Sequence, residues 1–369
     1  MWDKKHVNNF VSTGRGVVLT IIGPQARPSE RALVTSSGRQ GRRAVWSLAY
    51  SLFVGFHASA FTPLQVHWPY SQREITRGIQ IVEKPTFDEA KWDFWNLRRT
   101  EIEYALDRPH WLQLDAQCDE GDQHAVLNDL FNTLRDAMLG FQLWCPKGWD
   151  GVIIGARRSG ERLTVETVSI PEPYPSSLWG RMLSVKKCDP AQLPAFVEGT
   201  IAALQSKDAR QKNPFQFLEI GLQLAVNHYR TGALLWTVGL DGLLGAEKRD
   251  VFKARLIRLL GKDTRVFPED AVGRVPKYTV DSVAGKVFDW RNLIAHGKEI
   301  LEDYRKRRPL EFEPAEPPYF TAEEWTPEML YCESALFMLI ASLRKIITEG
   351  LLPTLGNKRQ WDRWLESTG

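Results

Sequence analysis

The sequence predicts an α+β N-terminal domain followed by an all-α domain, and three observations carry that reading. Short β-rich runs and one amphipathic helix are mixed without a regular β-α-β rhythm through the first half. Pro171, Pro173, Pro175 and Pro190 then break any regular element between Ser169 and Pro190. Beyond them the apolar residues recur at helical spacing almost throughout. The expected division is therefore 1–190, a mixed domain suited to sensing or regulation, and 191–369, a helical domain. A length of 369 residues fits about two domains, and 43% hydrophobic content suffices for a core in each.

In chain order, Val17 to Ile22 and Val152 to Ile154 are β-rich runs, and Leu163 to Val168 alternates apolar with polar as a half-buried strand does. Arg158-Ser159-Gly160-Glu161 between the last two reads as a hairpin turn. Leu127, Leu130, Phe131, Leu134 and Met138 recur at helical spacing behind an acidic start. In the second half, Ala191 to Leu204 predicts a helix, Phe215 to Ala246 one long or two abutting helices, and Val251 to Leu260 another, with Gly245 and Gly261 placed as helix stops. Thr279 stands as an N-cap with Asp281 in the first turn. Val280, Val283, Ala284, Val287 and Phe288 then form an i, i+3, i+4, i+7, i+8 stripe. A charged, Pro-rich insert occupies 301–324, and a last helix runs from about Pro327 to Gly350.

Composition narrows the function. Lys and Arg total 48 against 45 Asp and Glu, so the charge of +3 demands no polyanionic partner, and nucleic-acid contact would need a local basic patch. Cys118, Cys145, Cys188 and Cys332 are far apart with no Cys-x-x-Cys pair, which predicts thiols in a reducing compartment and neither zinc site nor disulfide framework. No cofactor is indicated. The apolar runs are too short or too interrupted for a signal peptide or a membrane span, so the expectation is a soluble cytoplasmic protein with no membrane partner. The 14 tryptophans, Trp68, Trp92, Trp95, Trp111, Trp144 and Trp149 among them, read as core or partner-surface residues before base-stacking ones. Ser36 to Arg43 lacks the Gly-Lys-Ser/Thr ending of a phosphate-binding loop and reads as a solvated basic loop.

One residue breaks the pattern. Continued by a turn, the stripe of the Val280 helix places Arg291 on its buried face. A guanidinium keeps its charge, so it must find a carboxylate there or line a pocket that receives an anion. Asp241, interrupting the apolar run Ala233 to Leu244, and Asp289 are the two candidate partners. Five residues on comes His296, followed by Gly297 as a plausible helix end. An ideal helix points Arg291 and His296 about 140° apart, so they converge only if the helix ends or distorts there, or through a second subunit. Asn292 and His296 share a face. The residues alone leave two accounts level: a phosphate-handling pair, or a structural Arg beside a His that merely suits a helix C-terminus.

The run Leu234 to Leu244, then Phe252 to Leu260, Tyr278-Thr279-Val280, and Phe288-Asp289-Trp290-Arg291-Asn292-Leu293-Ile294-Ala295-His296-Gly297, resembles a HEPN domain, more closely the Apea-like branch of that superfamily. The resemblance covers about residues 195 to 350 and rests on linear order: an acidic residue in an early helix, Arg-polar-x-x-x-His in a later one, a closing helix after an insert. It implies a four-helix bundle that dimerises so that two such motifs face each other, and metal-independent endoribonuclease activity in antiviral defence. The RNA 2′-OH would attack the adjacent phosphate and leave a 2′,3′-cyclic phosphate. His296 would then be the general base or acid, Arg291 would hold the phosphate, Asn292 would orient the pair, and Asp241 would support Arg291. The alternative is a non-catalytic HEPN bundle that binds RNA or a protein partner. Arg305, Lys306, Arg307 and Arg308 could track an RNA backbone, though a solvated loop is the plainer account. Near the C-terminus, Lys358, Arg359, Trp361, Arg363 and Trp364 read as a surface helix packing its two tryptophans.

Overall fold

A computed structural model describes residues 47–58, 73–88, 106–108, 110–119, 123–146, 149–169, 189–225, 228–267, 278–295 and 327–367. Among the described residues the content is mixed, with a six-stranded sheet and helices through most of the remainder. The chain forms two compact units, one holding the sheet and the start of the first helix up to Arg135, the other holding that helix from Asp136 and all later helices. The expected strand at Val17 to Ile22, the basic loop Ser36 to Arg43 and the insert 301–324 lie outside the described residues.

The strands are β1 (Ser47–Ala58), β2 (Arg73–Thr76), β3 (Ile79–Val82), β4 (His110–Asp119), β5 (Trp149–Ser159) and β6 (Arg162–Ser169), in the order β2-β3-β4-β1-β5-β6. The ladders β1–β4, β2–β3, β3–β4 and β5–β6 are antiparallel. Two tight hairpins set register by different chemistry. Between β5 and β6 the turn is Gly160-Glu161, with Gly160 at φ 61 in the first central position, as a type II′ turn requires. Between β2 and β3 both central residues, Arg77 (φ 50) and Gly78 (φ 76), are left-handed, the type I′ pattern. In β6, Leu163 and Val165 are buried while Thr164 and Glu166 are half-buried, which is the alternation the sequence carries. Phe53, Phe87, Trp111, Val152, Ile154, Ala156, Leu163 and Val165 form one apolar cluster. Within it the Trp111 indole lies where a Cβ on Gly55 would stand, 2.7 Å from that position, so glycine is what admits the ring.

Helix α1 (Gln123–Trp144) buries Leu127, Leu130, Phe131, Leu134 and Met138, the five residues of its predicted stripe. Its C-terminal part is held by α2 (Leu193–Gln205) and α7 (Pro327–Thr348). Gly140 lies so close to α2 that an added Cβ would be 2.8 Å from the Val197 Cα, and Arg344 of α7 donates to the carbonyls of Leu143 and Trp144 at the end of α1. The run from Phe215 resolves into two helices, α3 (Ala209–Ala225) and α4 (Tyr229–Leu244). They cross at Gly221 and Gly232, where each glycine faces the other's backbone carbonyl. Helix α5 (Arg249–Leu260) follows, and Gly245 (φ 56) and Gly261 (φ 97) end α4 and α5 as expected. Then come α6 (Val280–Ala295), α7, and two short helices, α8 (Leu352–Gly356) and α9 (Lys358–Glu366). Helix α7 packs against α2, α3, α4, α5 and α6. Leu330, Ala335, Leu336, Phe337, Met338, Leu339, Ile340, Leu343 and Ile346 are all buried, which is what a central helix needs.

One expectation is met in altered form. Thr279 does precede α6, but the capping bond there is made from the other side: Ser282 Oγ accepts the Thr279 N–H at 3.0 Å, the return half of a capping box. Described tryptophans 111, 144, 236, 290 and 361 are all buried, so each is a core residue. Trp361 and Trp364 of α9 stack at 5.1 Å, with Trp361 inside, as the reading of a surface helix requires. Cys145 and Cys332 are buried and form no disulfide.

Tyr229 supplies a test of the helical packing. Its hydroxyl donates to Glu333 Oε1 of α7 at 2.7 Å, and burial, aided by that carboxylate, holds its pKa well above the ordinary tyrosine value. The folded state thus keeps a proton that the unfolded chain releases near pH 10. The stabilisation is complete below pH 10 and is lost as pH rises toward the folded value. Urea midpoints measured from pH 8 to 11 should fall more steeply for the wild type than for Tyr229→Phe.

Candidate active site

The site is built where the end of α4 meets the end of α6. Asp241 lies in the last turn of α4, where Leu240, Leu243 and Leu244 are buried and Gly242 is exposed. On α6, Val280, Val283, Ala284, Val287 and Phe288 are all buried, and Arg291 continues their stripe. Its Nη2 makes an ion pair with Asp241 Oδ2, and its Nη1 donates to Asn292 Oδ1 at 2.8 Å. The guanidinium carbon sits 5.2 Å from the centre of the Phe288 ring, three residues back on the same face. The side chains of Arg291 and Asp241 are 24% and 17% exposed, so the pair is partly buried with solvent still reaching it. Burial lowers the Arg291 pKa, yet a guanidinium stays charged at neutral pH.

Asp289 is not the partner. It lies two positions before Arg291, on the far side of the helix, and takes Arg249 Nε at 2.9 Å instead. One face of α6 is thereby tied to α5, with Lys253 to Asp281 at 2.9 Å as a second link. That lysine also holds the Asp281 carboxylate below its ordinary pKa.

The structure therefore brings together Arg291, Asn292 and Asp241. His296 is the residue after the last described one of α6, Ala295, and both it and Arg305 to Arg308 lie outside the described residues. Comparison of the chain with protein-family models, with curated proteins and with solved structures finds no match.

Of five guanidinium N–H groups, Asp241 and Asn292 each engage one. The remaining donors and the partial exposure suit Arg291 to an anionic oxygen, and the Phe288 ring beneath it limits how the planar group can turn. Phe288, a core residue by its place in the stripe, is thus also a neighbour of the candidate site, signalled in the sequence by its i, i+3 spacing to Arg291. Among the described residues, no group of three or more His, Cys, Asp or Glu side chains is placed to hold a metal, and no helix is long and apolar enough to cross a membrane.

Proposed function

We propose that this chain is a metal-independent endoribonuclease of HEPN type, acting in the cytoplasm in antiviral defence. The observation that carries the reading is the anchored, part-exposed Arg291, with Asn292 beside it and His296 four residues further on. His296 takes the proton from an RNA 2′-OH, the 2′ oxygen attacks the adjacent phosphorus as the bond to the 5′ oxygen breaks, and the 5′ oxygen takes a proton from water, to which His296 returns its own, giving 2′,3′-cyclic phosphate and 5′-OH ends. Arg291 holds the phosphate and offsets the charge that grows on it. Two copies, meeting through a four-helix bundle, would face their motifs across one RNA strand, with Arg305 to Arg308 tracking its backbone. The N-terminal unit would make cleavage conditional on a trigger.

A second reading has its own support. An arginine held by Asp241 and Asn292 is also what a purely structural cation looks like, so a non-catalytic bundle that binds RNA or a protein partner remains the rival. Incubation of the purified chain with cellular RNA in excess EDTA separates the two. Wild type should cleave, and His296→Ala, with an unchanged circular dichroism spectrum, should lose about 10²- to 10⁴-fold in rate. Equal cleavage by both proteins would remove His296 from the mechanism, and no cleavage by either would favour the binding module.

A further inference from the structure

The last turn of α4, which carries Asp241, is a poor helix by composition. Gly239 and Gly242 flank the aspartate, and Gly245 ends the helix. Packing explains Gly239, whose added Cβ would lie 2.9 Å from Leu339 of α7, but at Gly242 an added Cβ would meet nothing within 4 Å. The turn must also satisfy its terminal carbonyls from outside.

Helix α9 and its partner α5 do this. The buried Trp361 donates its indole N–H to Leu243 O at 2.5 Å, and Arg255 of α5 donates to Leu244 O at 2.6 Å. Arg255 is in turn clasped by α9, through Asp362 at 3.3 Å and Glu366 at 2.6 Å. Arg258 of α5 adds a bond to Ser367 at 3.0 Å and lies over the Trp364 ring. Side chains more than a hundred residues along the chain thus hold the turn on which Asp241 stands.

We propose that α9 is a positioning element for the candidate site: docked, it keeps the last turn of α4 wound and Asp241 on Arg291, and undocked, it releases the Arg291 guanidinium. Trp361 and Arg255 are positioning residues, acting on Arg291 only through Asp241. The consequence for catalysis rests on the ribonuclease reading; the positioning itself does not.

The test therefore uses no RNA. In the full chain, hydrogen exchange of amides 241–245 and the rate at which phenylglyoxal modifies Arg291, both read by peptide mass spectrometry, are compared between wild type and Trp361→Phe. That variant keeps an aromatic ring and loses the donor. Arg255→Lys, which keeps the charge and loses the fork, is the second variant should the first fail to fold. Each should raise both rates roughly fivefold, the effect of one lost hydrogen bond, while α2 and α3 exchange as before. Adding Gly242→Ala should bring both rates back toward wild type, because the turn then winds by itself. Faster exchange with unchanged Arg291 reactivity, no change in either, or a uniform rise across the helical unit would each overturn the proposal. None of these outcomes depends on whether the chain cleaves RNA.

Discussion

Arg291→Ala is expected to lower RNA cleavage by about 10²- to 10³-fold, the usual consequence of removing one preorganised donor from a developing negative charge. The same substitution strands the Asp241 carboxylate. Because that side chain is 17% exposed, the cost in stability should fall between those of a surface and a buried pair, about 2 kcal/mol. The two effects have different origins, and a second variant parts them. Replacing both members with apolar residues, Arg291→Met with Asp241→Leu, should restore much of the stability and none of the activity. Recovery of cleavage in that double variant would mean that Arg291 serves the fold alone.

The largest effect on stability is expected at the crossing of α3 and α4. A Cβ on Gly232 would collide with the Gly221 carbonyl oxygen and lie 3.0 Å from the Ala225 nitrogen, and one on Gly221 would collide with the Trp236 indole nitrogen and lie 2.9 Å from the Gly232 oxygen. At Gly232 two of the three nearest neighbours are backbone, which can give only if the helices part. Gly232→Ala should therefore cost about 3 kcal/mol by urea denaturation, the upper end for overpacking. Gly285→Ala is the control. The three atoms its Cβ would meet first all belong to the end of the Arg249 side chain, the nearest 2.7 Å away, which can swing aside at the cost of its exposed ion pairs with Asp289 and Asp250, each worth under about 1 kcal/mol. Equal losses from the two variants would show that the α3–α4 crossing is not as close as described.

What the sequence made legible follows from periodicity. The stripe of α6 was readable because that helix buries one face, and that of α1 because its first half does, although from Leu134 onward α1 is buried all round; the Gly245 and Gly261 stops were readable because left-handed or open backbone selects glycine. Strand β1 was not read. Its consecutive residues Tyr50, Ser51, Leu52 and Phe53 are all buried, so no alternation survives. The β2–β3 hairpin escaped because its strands have four residues each and its type I′ turn is Arg77-Gly78, without the Asn-Gly or Asp-Gly that advertises such turns. At the site, the anomaly of Arg291 was visible as a charge on an apolar stripe. The choice of Asp241 over Asp289 was also within reach, since residues two apart do not share a helix face. The bracing of α4 by Trp361 was out of reach, because nothing local in either segment specifies a contact across more than a hundred residues.

The chemistry we propose at Arg291 and His296 is transesterification by the RNA's own 2′-OH. The chain should be incubated in excess EDTA with a short single-stranded RNA of defined sequence, and the new 3′ ends read by mass spectrometry. The account predicts 2′,3′-cyclic phosphate ends paired with 5′-OH ends, and an uncleaved linkage wherever a 2′-deoxy nucleotide is placed at the cut site. Cleavage that persists at a 2′-deoxy position, or 3′-OH ends paired with 5′-phosphates, would contradict it.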